Sequence, residues 1–479
     1  MATIINSRSP FFVKVENASL GNVTLRLYIY EGSKKTSPDS SDLKYTISKS
    51  SIENNDYVVF EISELIRDYI NVKYDGEYDS YSLWVMFDVD VSSSAGDEIF
   101  GWTSTPSDLQ NILAASGTAT GTSTNKLIDS SASFTSTVQV GDIAVEDQSG
   151  FFATVTSVDS NTTLTLDDNI YQSGSGYFIY RRSYFNMIAT EGYGYFEEGI
   201  NPEPSTGLLQ SNLIAYRPED GSINIPIFAG GTNSLAFYNN GELVRTQTIS
   251  DNDNTDQKIQ YIASSGNSDS ATYEERVLES GGTFEDSVCL QRFLNSIDVG
   301  AFDEVWVNYD TGTTFTGTSN TSTEDTKTAI IKIKTLECSK YEPVRVTFVN
   351  KFGALQDIWF DKKSMESIQT KTESYKASVV DFANLTYNTN AHQMRTLNLM
   401  GNESIILNTG FIDDSYNEVI RQLMLSEQIW MTRLTDTEEL VLPLKAKTQS
   451  VQYKTHINDK LVNYTIEFDM AFDKINNIR

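Results

Sequence analysis

Only two histidines occur in the chain, His392 and His456, and they lie 64 positions apart. A histidine-rich zinc site, or a triad with a local histidine signature, has little to build on at that spacing. Two cysteines, Cys289 and Cys338, cannot make the dense disulfide framework of small secreted domains; free thiols are the expected state and a single bridge the alternative. Asp251-Asn252-Asp253-Asn254-Thr255-Asp256 has the carboxylate spacing that opens a calcium loop, but it lacks the turn glycine and the distant glutamate, so a mobile acidic loop is the stronger reading. Asp88 and Asp90 sit two apart in an alternating run, which puts them on one strand face; a solvated face explains them better than acid–base work. Gly192-Tyr193-Gly194-Tyr195-Phe196-Glu197-Glu198-Gly199-Ile200-Asn201-Pro202 can be a sugar-stacking surface or, more simply, a packed aromatic connector. No Walker-type phosphate loop, zincin helix or Gly-x-Ser-x-Gly elbow is present. A polysaccharide-degrading enzyme needs a defined carboxylate pair, and with 65 Asp and Glu no pair stands out. No catalytic, cofactor-binding or metal-ligating residue is therefore assigned, no cofactor is expected, and the protein is not read as an enzyme.

The elements that would position such residues are strands. At 479 residues about three domains are expected. The 24 Phe, 25 Tyr and 5 Trp suit packed β cores and argue against a disordered acidic chain. Thirty-six basic against 65 acidic residues give a net charge of −29, which disfavours nucleic acid and anionic lipid as partners and favours solubility. The opening Met1-Ala2-Thr3-Ile4-Ile5-Asn6 lacks a basic end before an apolar run, and no stretch is long and apolar enough to span a bilayer, so neither export signal nor membrane insertion is expected.

Along the chain, Val23, Leu25, Leu27 and Ile29 alternate with polar or aromatic residues after a Ser19-Leu20-Gly21-Asn22 turn. A strand from Tyr57 to Ile62 leads into a short helix with Ser63 as N-cap and Leu65, Ile66, Tyr69 and Ile70 on one face. Leu83, Val85, Phe87, Val89 and Val91 form another buried face. From Gly117 to Tyr180 the composition turns to Ser, Thr and Gly, with short strands around turns, as in a small β module inserted into a loop of the first domain. The reading is mainly β: multidomain antiparallel β-sandwiches, comprising an N-terminal sandwich (1–116 plus 181–222), the inserted module (117–180), a middle β domain (223–337) and a C-terminal domain (338–479). In the middle domain Ser234 to Tyr238 and Glu242 to Thr248 flank the hairpin turn Asn239-Asn240-Gly241, Val305 to Tyr309 and Ala329 to Lys334 are strands, and Asp310 to Thr326 is an exposed loop.

The last 142 residues carry 16 basic and 18 acidic side chains, net −2, so nearly all the charge lies in residues 1–337. Strands are expected at Val344 to Phe348, Leu355 to Phe360, Ser404 to Asn408 and Val451 to Ile457. The clearest is the last, where Tyr464, Ile466, Phe468, Met470 and Phe472 alternate with Thr465, Glu467, Asp469 and Ala471. Ser415-Tyr416-Asn417-Glu418 reads as a capping box opening one helix, with Tyr416, Val419, Ile420, Leu423 and Met424 on its apolar face. The C-terminal domain is thus a β-sandwich flanked by one helix.

The ending from Tyr453 to Phe468, with Phe472-Asp473-Lys474-Ile475-Asn476-Asn477, resembles the end of virion proteins from tailed bacteriophages. Val349-Asn350-Lys351-Phe352-Gly353-Ala354-Leu355, Asn408-Thr409-Gly410-Phe411-Ile412 and the Ser/Thr-rich module are similar to the same group. A β-sandwich with one helix resembles their tail-tube and distal-tail families. The resemblance implies a structural virion component, a ring-forming tail, tail-hub or baseplate subunit that homo-oligomerises through its C-terminal domain. Its partners would be copies of itself and other virion tail proteins, and its place the virion tail after synthesis in the host cytoplasm. A receptor-binding or glycan-binding tail protein, in contact with a host-surface glycan, is the alternative.

Overall fold

The computed structural model describes residues 4–16, 20–32, 34–35, 37–50, 57–78, 81–93, 98–99, 112–147, 151–181, 187–204, 207–218, 222–228, 233–239, 241–249, 259–265, 303–308, 328–336, 340–387, 389–434, 439–452 and 461–474. The fold is mainly β, with several antiparallel sheets and few short helices. Contacts divide the chain into two units: Met1–Asn71, Tyr81–Glu203 and Asn252–Lys258 form one, and Val72–Ser80, Pro204–Asp251 and Ile259–Arg479 the other.

The first unit opens with a sheet in the order Ile4–Asn6, Met187–Thr190, Leu83–Ser93, Leu20–Tyr30, Leu43–Ser50. Ile4–Asn6 pairs parallel to Met187–Thr190; the other pairings are antiparallel. A second sheet pairs Phe12–Glu16 with Tyr57–Glu61. Between them lies a core of Val23, Leu25, Leu27, Ile29, Val85, Phe87 and Val89 with Val13, Val15, Val58 and Phe60, the alternation expected of strands with one buried face. Three details differ from the sequence reading. Leu20, Gly21 and Asn22 belong to the strand, across a register shift, rather than to a turn. Ser63 is the first residue of the Ser63–Arg67 helix and not its cap: its N–H and hydroxyl both donate to Glu61, whose carboxylate takes the role the serine side chain would have played. Asp88 is not simply solvated; it accepts from Arg26 Nε at 2.8 Å and Tyr28 Oη at 3.3 Å. The side chain of Asp90 lies outside the described residues.

The same unit contains an antiparallel seven-stranded sheet, in the order Ile112–Thr118, Gly176–Arg181, Ile143–Glu146, Phe152–Ser160, Thr163–Leu166, Lys126–Ile128, Gly121–Ser123, with the short helix Phe134–Thr137. Its core collects Phe134, Tyr171, Tyr177, Leu127, Val155, Leu164 and Ile179. Two aspartates tie its turns. Asp129 accepts from Ser131 N, Ser131 Oγ and Tyr177 Oη at 2.7–2.8 Å. Asp159 accepts from Lys126 Nζ at 2.6 Å and Thr165 Oγ1 at 2.7 Å. Hydrogen bonds from Lys126, Thr165 and Ser157 hold Asp159 down to about 2. Burial pushes Asp129 up, but the bonds from Ser131 and Tyr177 outweigh it and leave its carboxyl below the usual value. Both folded values lie below the unfolded ones, so their stabilisation is complete above the usual carboxylate range and is lost as pH falls through the folded values. The melting temperature of this sheet is expected to be flat from neutral pH to about pH 5 and to drop between about pH 4 and pH 2, a drop that Asp159→Asn together with Asp129→Asn makes shallower. Calorimetry across that pH range checks it.

In the second unit, one sheet runs Ile214–Pro218, Thr328–Leu336, Glu304–Asn308, Asn233–Asn239, Glu242–Ile249, its first pairing parallel and the rest antiparallel; a second pairs Ser222–Phe228 with Ile259–Ser265. Their facing side chains, among them Leu235, Phe237, Val305, Val307, Ile331, Ile223, Ile225 and Ile227, form one core. Gly241 follows the Asn233–Asn239 strand with φ +81°, as the hairpin turn requires, while Asn240 lies outside the described residues. Asp310 to Thr326 also lies outside them.

The C-terminal part of this unit is an antiparallel seven-stranded sheet ordered Leu355–Phe360, Val344–Val349, Ile429–Leu434, Glu439–Ala446, Thr465–Met470, Met394–Asn408, Met365–Lys376. Ile405, Leu407, Ile466 and Phe468 pack with Val419, Ile420 and Leu423 of the Tyr416–Leu425 helix and with the small Ile412–Asp413/Leu461–Val462 sheet. The helix buries the predicted face and adds Gln422 to it. The capping box is not formed: Ser415 is itself helical, its N–H donates to Asp413 Oδ1 at 3.1 Å, and Glu418 turns away to Gln422 Nε2 and Arg421. Val451 and Gln452 are not in a strand, and the remainder of the expected Val451 to Ile457 strand, with His456, lies outside the described residues. The sequence also suggests that the partner of the last strand precedes it across Asn458-Asp459-Lys460, but Thr465–Met470 is paired on its two sides by Met394–Asn408 and Glu439–Ala446.

Candidate functional site

Two places in the second unit concentrate polar chemistry or exposed apolar surface. The first is buried. Asp357, on the Leu355–Phe360 strand, is 3% exposed and accepts from Tyr78 Oη at 2.6 Å, Thr347 Oγ1 at 2.8 Å, Asn224 N at 3.1 Å and Asn224 Nδ2 at 3.3 Å. Arg345 is buried beside it and donates to Tyr74 Oη at 3.4 Å. The two tyrosine rings meet edge to face with centroids 5.2 Å apart, and Tyr78 packs on Tyr261, whose hydroxyl accepts from Leu355 N. Burial and the nearby Asp357 carboxylate push the Tyr78 phenol well above its ordinary value, and burial raises Tyr74 as well. Carboxylate, guanidinium and phenols together look catalytic, but Thr347, Asn224, Asp357 and Arg345 are all closed off from solvent. The cluster clamps three sequence-distant segments together.

The second place is an arm. Met365–Lys376 pairs with the outer part of the fifteen-residue strand Met394–Asn408 over its full length, from Met365↔Ile406 to Lys376↔Met394. A further small ladder, Val380↔Tyr387 and Asp381↔Thr386, closes the tip. Every residue of Met365–Lys376 is exposed, and from Ile368 outward, where the partner strand no longer pairs with Thr465–Met470, the ribbon runs beyond the core for about 30 Å at about 3.3 Å per residue. Among the described residues, no further strand pairs with Met365–Lys376 on its other side or with Met394 to Met400 on the side away from it. The arm exposes Ile368, Tyr375, Phe382, Leu385, Tyr387, Met394, Leu397 and Leu399. From residue 365 to 403 it carries Lys371, Lys376 and Arg395 against Glu366, Glu373, Asp381 and Glu403, net −1 in a chain of −29.

Sequence reasoning found only the inner end of this ribbon, Ser404 to Asn408, because a strand exposed on both faces has no period-2 pattern. A usable signal was present: residues 365 to 400 contain neither glycine nor proline. His392 lies on the exposed turn of the arm, where its carbonyl accepts from Arg395 Nε at 3.4 Å. Cys289, Cys338 and Asp251 to Asp256 lie outside the described residues. In the first unit, the Gly192–Pro202 loop splits the aromatics: Tyr193 is buried under Arg8, whose guanidinium sits 4.8 Å from its ring, whereas Phe196 is wholly exposed. Among the described residues, no group of three or more His, Cys, Asp and Glu is arranged to hold a metal ion, and no helix is long and apolar enough to cross a membrane.

No known protein family matches the chain, and no curated protein does. Comparison with solved structures pairs it with the phage phi92 endosialidase at 8% identity and a TM-score of 0.13, covering 98% of this chain and 71% of that one. A score that low carries no argument about fold or activity.

Proposed function

We propose that the protein is a structural component of a bacteriophage virion, a ring-forming tail, hub or baseplate subunit without a catalytic role, which assembles through its C-terminal domain. The observation that carries the self-assembly part is the arm. Two open strand edges and a run of exposed apolar side chains on a two-stranded ribbon are a liability in an isolated molecule, because a lone ribbon is marginal and an open edge invites pairing. Head-to-tail addition of one copy's Met365–Lys376 edge to the next copy's Met394–Met400 edge uses both edges, and where the rotation between copies closes it gives a ring in which no edge is left. The near-neutral arm lets strongly acidic chains approach at that point. The virion assignment rests on the resemblance of the C-terminal sequence to tailed-phage proteins. Its partners would be copies of itself and neighbouring tail proteins.

Replacing residues 368–401 by a short glycine turn is expected to abolish self-association while leaving the core of the C-terminal sheet folded. Light-scattering mass of the intact and shortened chains checks it. An intact chain that stays monomeric at high concentration, or a shortened chain that assembles as before, overturns the reading.

A further inference from the structure

Phe196, Leu385 and Phe382 are the three most exposed large apolar side chains among the described residues, at 100%, 84% and 76%. They fall in two places: Phe196 on the Gly192–Pro202 loop, the other two at the arm tip. The loop is pre-organised. Tyr195 N donates to Glu198 Oε2 at 2.9 Å, Gly194 N to Ser9 Oγ at 2.6 Å, Asn6 N to Asn201 Oδ1 and Asn201 Nδ2 to Ile4 O, each at 2.8 Å. Gly194 lies so close to Pro202 that a Cβ there would meet its ring at 2.3 Å. An aromatic held fully in water by a rigid loop loses little freedom on docking, which is the property of an interface anchor. Of its neighbours, Tyr193 is turned inward and Tyr195 is half-buried, edge-on to Tyr193 at 5.9 Å, so Phe196 is the ring of this loop that stands wholly in water.

The two places carry opposite charge. Residues 192–203 hold Glu197, Glu198 and Glu203, all exposed, and no basic residue. Residues 375–397, the outer end of the arm, hold exposed Lys376 and Arg395 with His392, against Asp381, whose carboxylate is engaged by Ala383 N and Asn384 Nδ2. In a chain of −29 a basic, apolar end is scarce. The geometry points to a second contact between copies: the Phe196 loop of one copy docks on the outer end of another copy's arm, with Glu197 and Glu203 facing Lys376 and Arg395. This rests on the self-assembly reading above and adds the surface that meets the arm.

Sedimentation of the full chain tests it. Phe196→Ala, the pair Glu197→Lys with Glu203→Lys, and the pair Lys376→Glu with Arg395→Glu are each expected to weaken self-association by about tenfold or more, and the two charge-reversed pairs combined are expected to recover most of it. Mixing the loop-reversed with the arm-reversed chain is expected to recover association too, since the mixed complex regains matched contacts between copies. All five positions are exposed, and an unchanged thermal melt would show that folding is not the cause. A wild-type chain that assembles but is indifferent to these changes, or charge reversals that weaken assembly without mutual rescue, would overturn the contact and leave self-assembly standing. A monomeric wild-type chain would overturn both.

Discussion

Phe468→Asp is expected to abolish folding of the C-terminal sheet. Phe468 is fully buried in the Thr465–Met470 strand, stands edge-on to Phe360 at 6.2 Å and belongs to the same core as Ile405, Leu407 and the helix residues Val419 and Leu423. Losing the ring alone costs about 3–5 kcal/mol when a buried Phe is truncated. An unpaired carboxylate in the same apolar site adds several kcal/mol more, or forces the group to stay protonated. Against a total of about 5–15 kcal/mol for a domain, that is enough to remove the folded state. The variant should lose the near-ultraviolet signal of this region at room temperature, whereas Phe468→Leu should keep it with a lowered melting temperature. An unchanged melt for the aspartate variant would mean that this strand face is not the core.

Asp357→Leu should be the next most damaging change. Leucine fits the space of the side chain but leaves the Tyr78 and Thr347 hydroxyls and both Asn224 donors without their acceptor, and removes the negative charge beside buried Arg345. Removing one partner from a buried charged network costs about 3–5 kcal/mol, mostly the desolvation of the groups left behind. Asp357→Asn retains one acceptor oxygen while setting its amide against donors, so a smaller loss is expected. Urea unfolding followed by fluorescence checks the size, and limited proteolysis checks the place: Val72–Ser80, held by the Tyr74 and Tyr78 contacts, should become cleavable first. A variant within about 1 kcal/mol of wild type would show that the carboxylate does not hold these segments.

How far the sequence was legible depended on whether burial had left a pattern. Val23, Leu25, Leu27 and Ile29, and likewise Ile466, Phe468 and Met470, alternate because one face of each strand lies against a core, and in the structure those side chains are buried; Leu83, Val85, Phe87 and Val89 are buried too, but so are Trp84 and Met86 on the opposite face. The helix face of Val419, Ile420 and Leu423 was readable for the same reason at a different period. Caps were read less well. Ser63 and Ser415 have the residue type of an N-cap, yet a neighbouring carboxylate, Glu61 or Asp413, took the backbone or hydroxyl hydrogen bonds, and which acceptor wins is set by local geometry rather than residue type. The candidate assembly site was least legible. Its ribbon faces water on both sides, so nothing imposes alternation, and only the lack of glycine and proline from residue 365 to 400 marks a strand there.

By itself, the sequence determined that this is a β protein with aromatic-rich cores, an acidic front and a nearly neutral C-terminal part, because strand period and charge are local properties that survive without coordinates. Only the tertiary structure decided that Asp357 gathers Tyr78, Asn224 and Thr347 into one clamp, that Tyr193 turns inward while Phe196 faces water, and that residues 365 to 403 leave the core as an arm with two open edges. Each of these depends on which distant residues meet or fail to meet. That is a matter of chain topology, which no single stretch of sequence records.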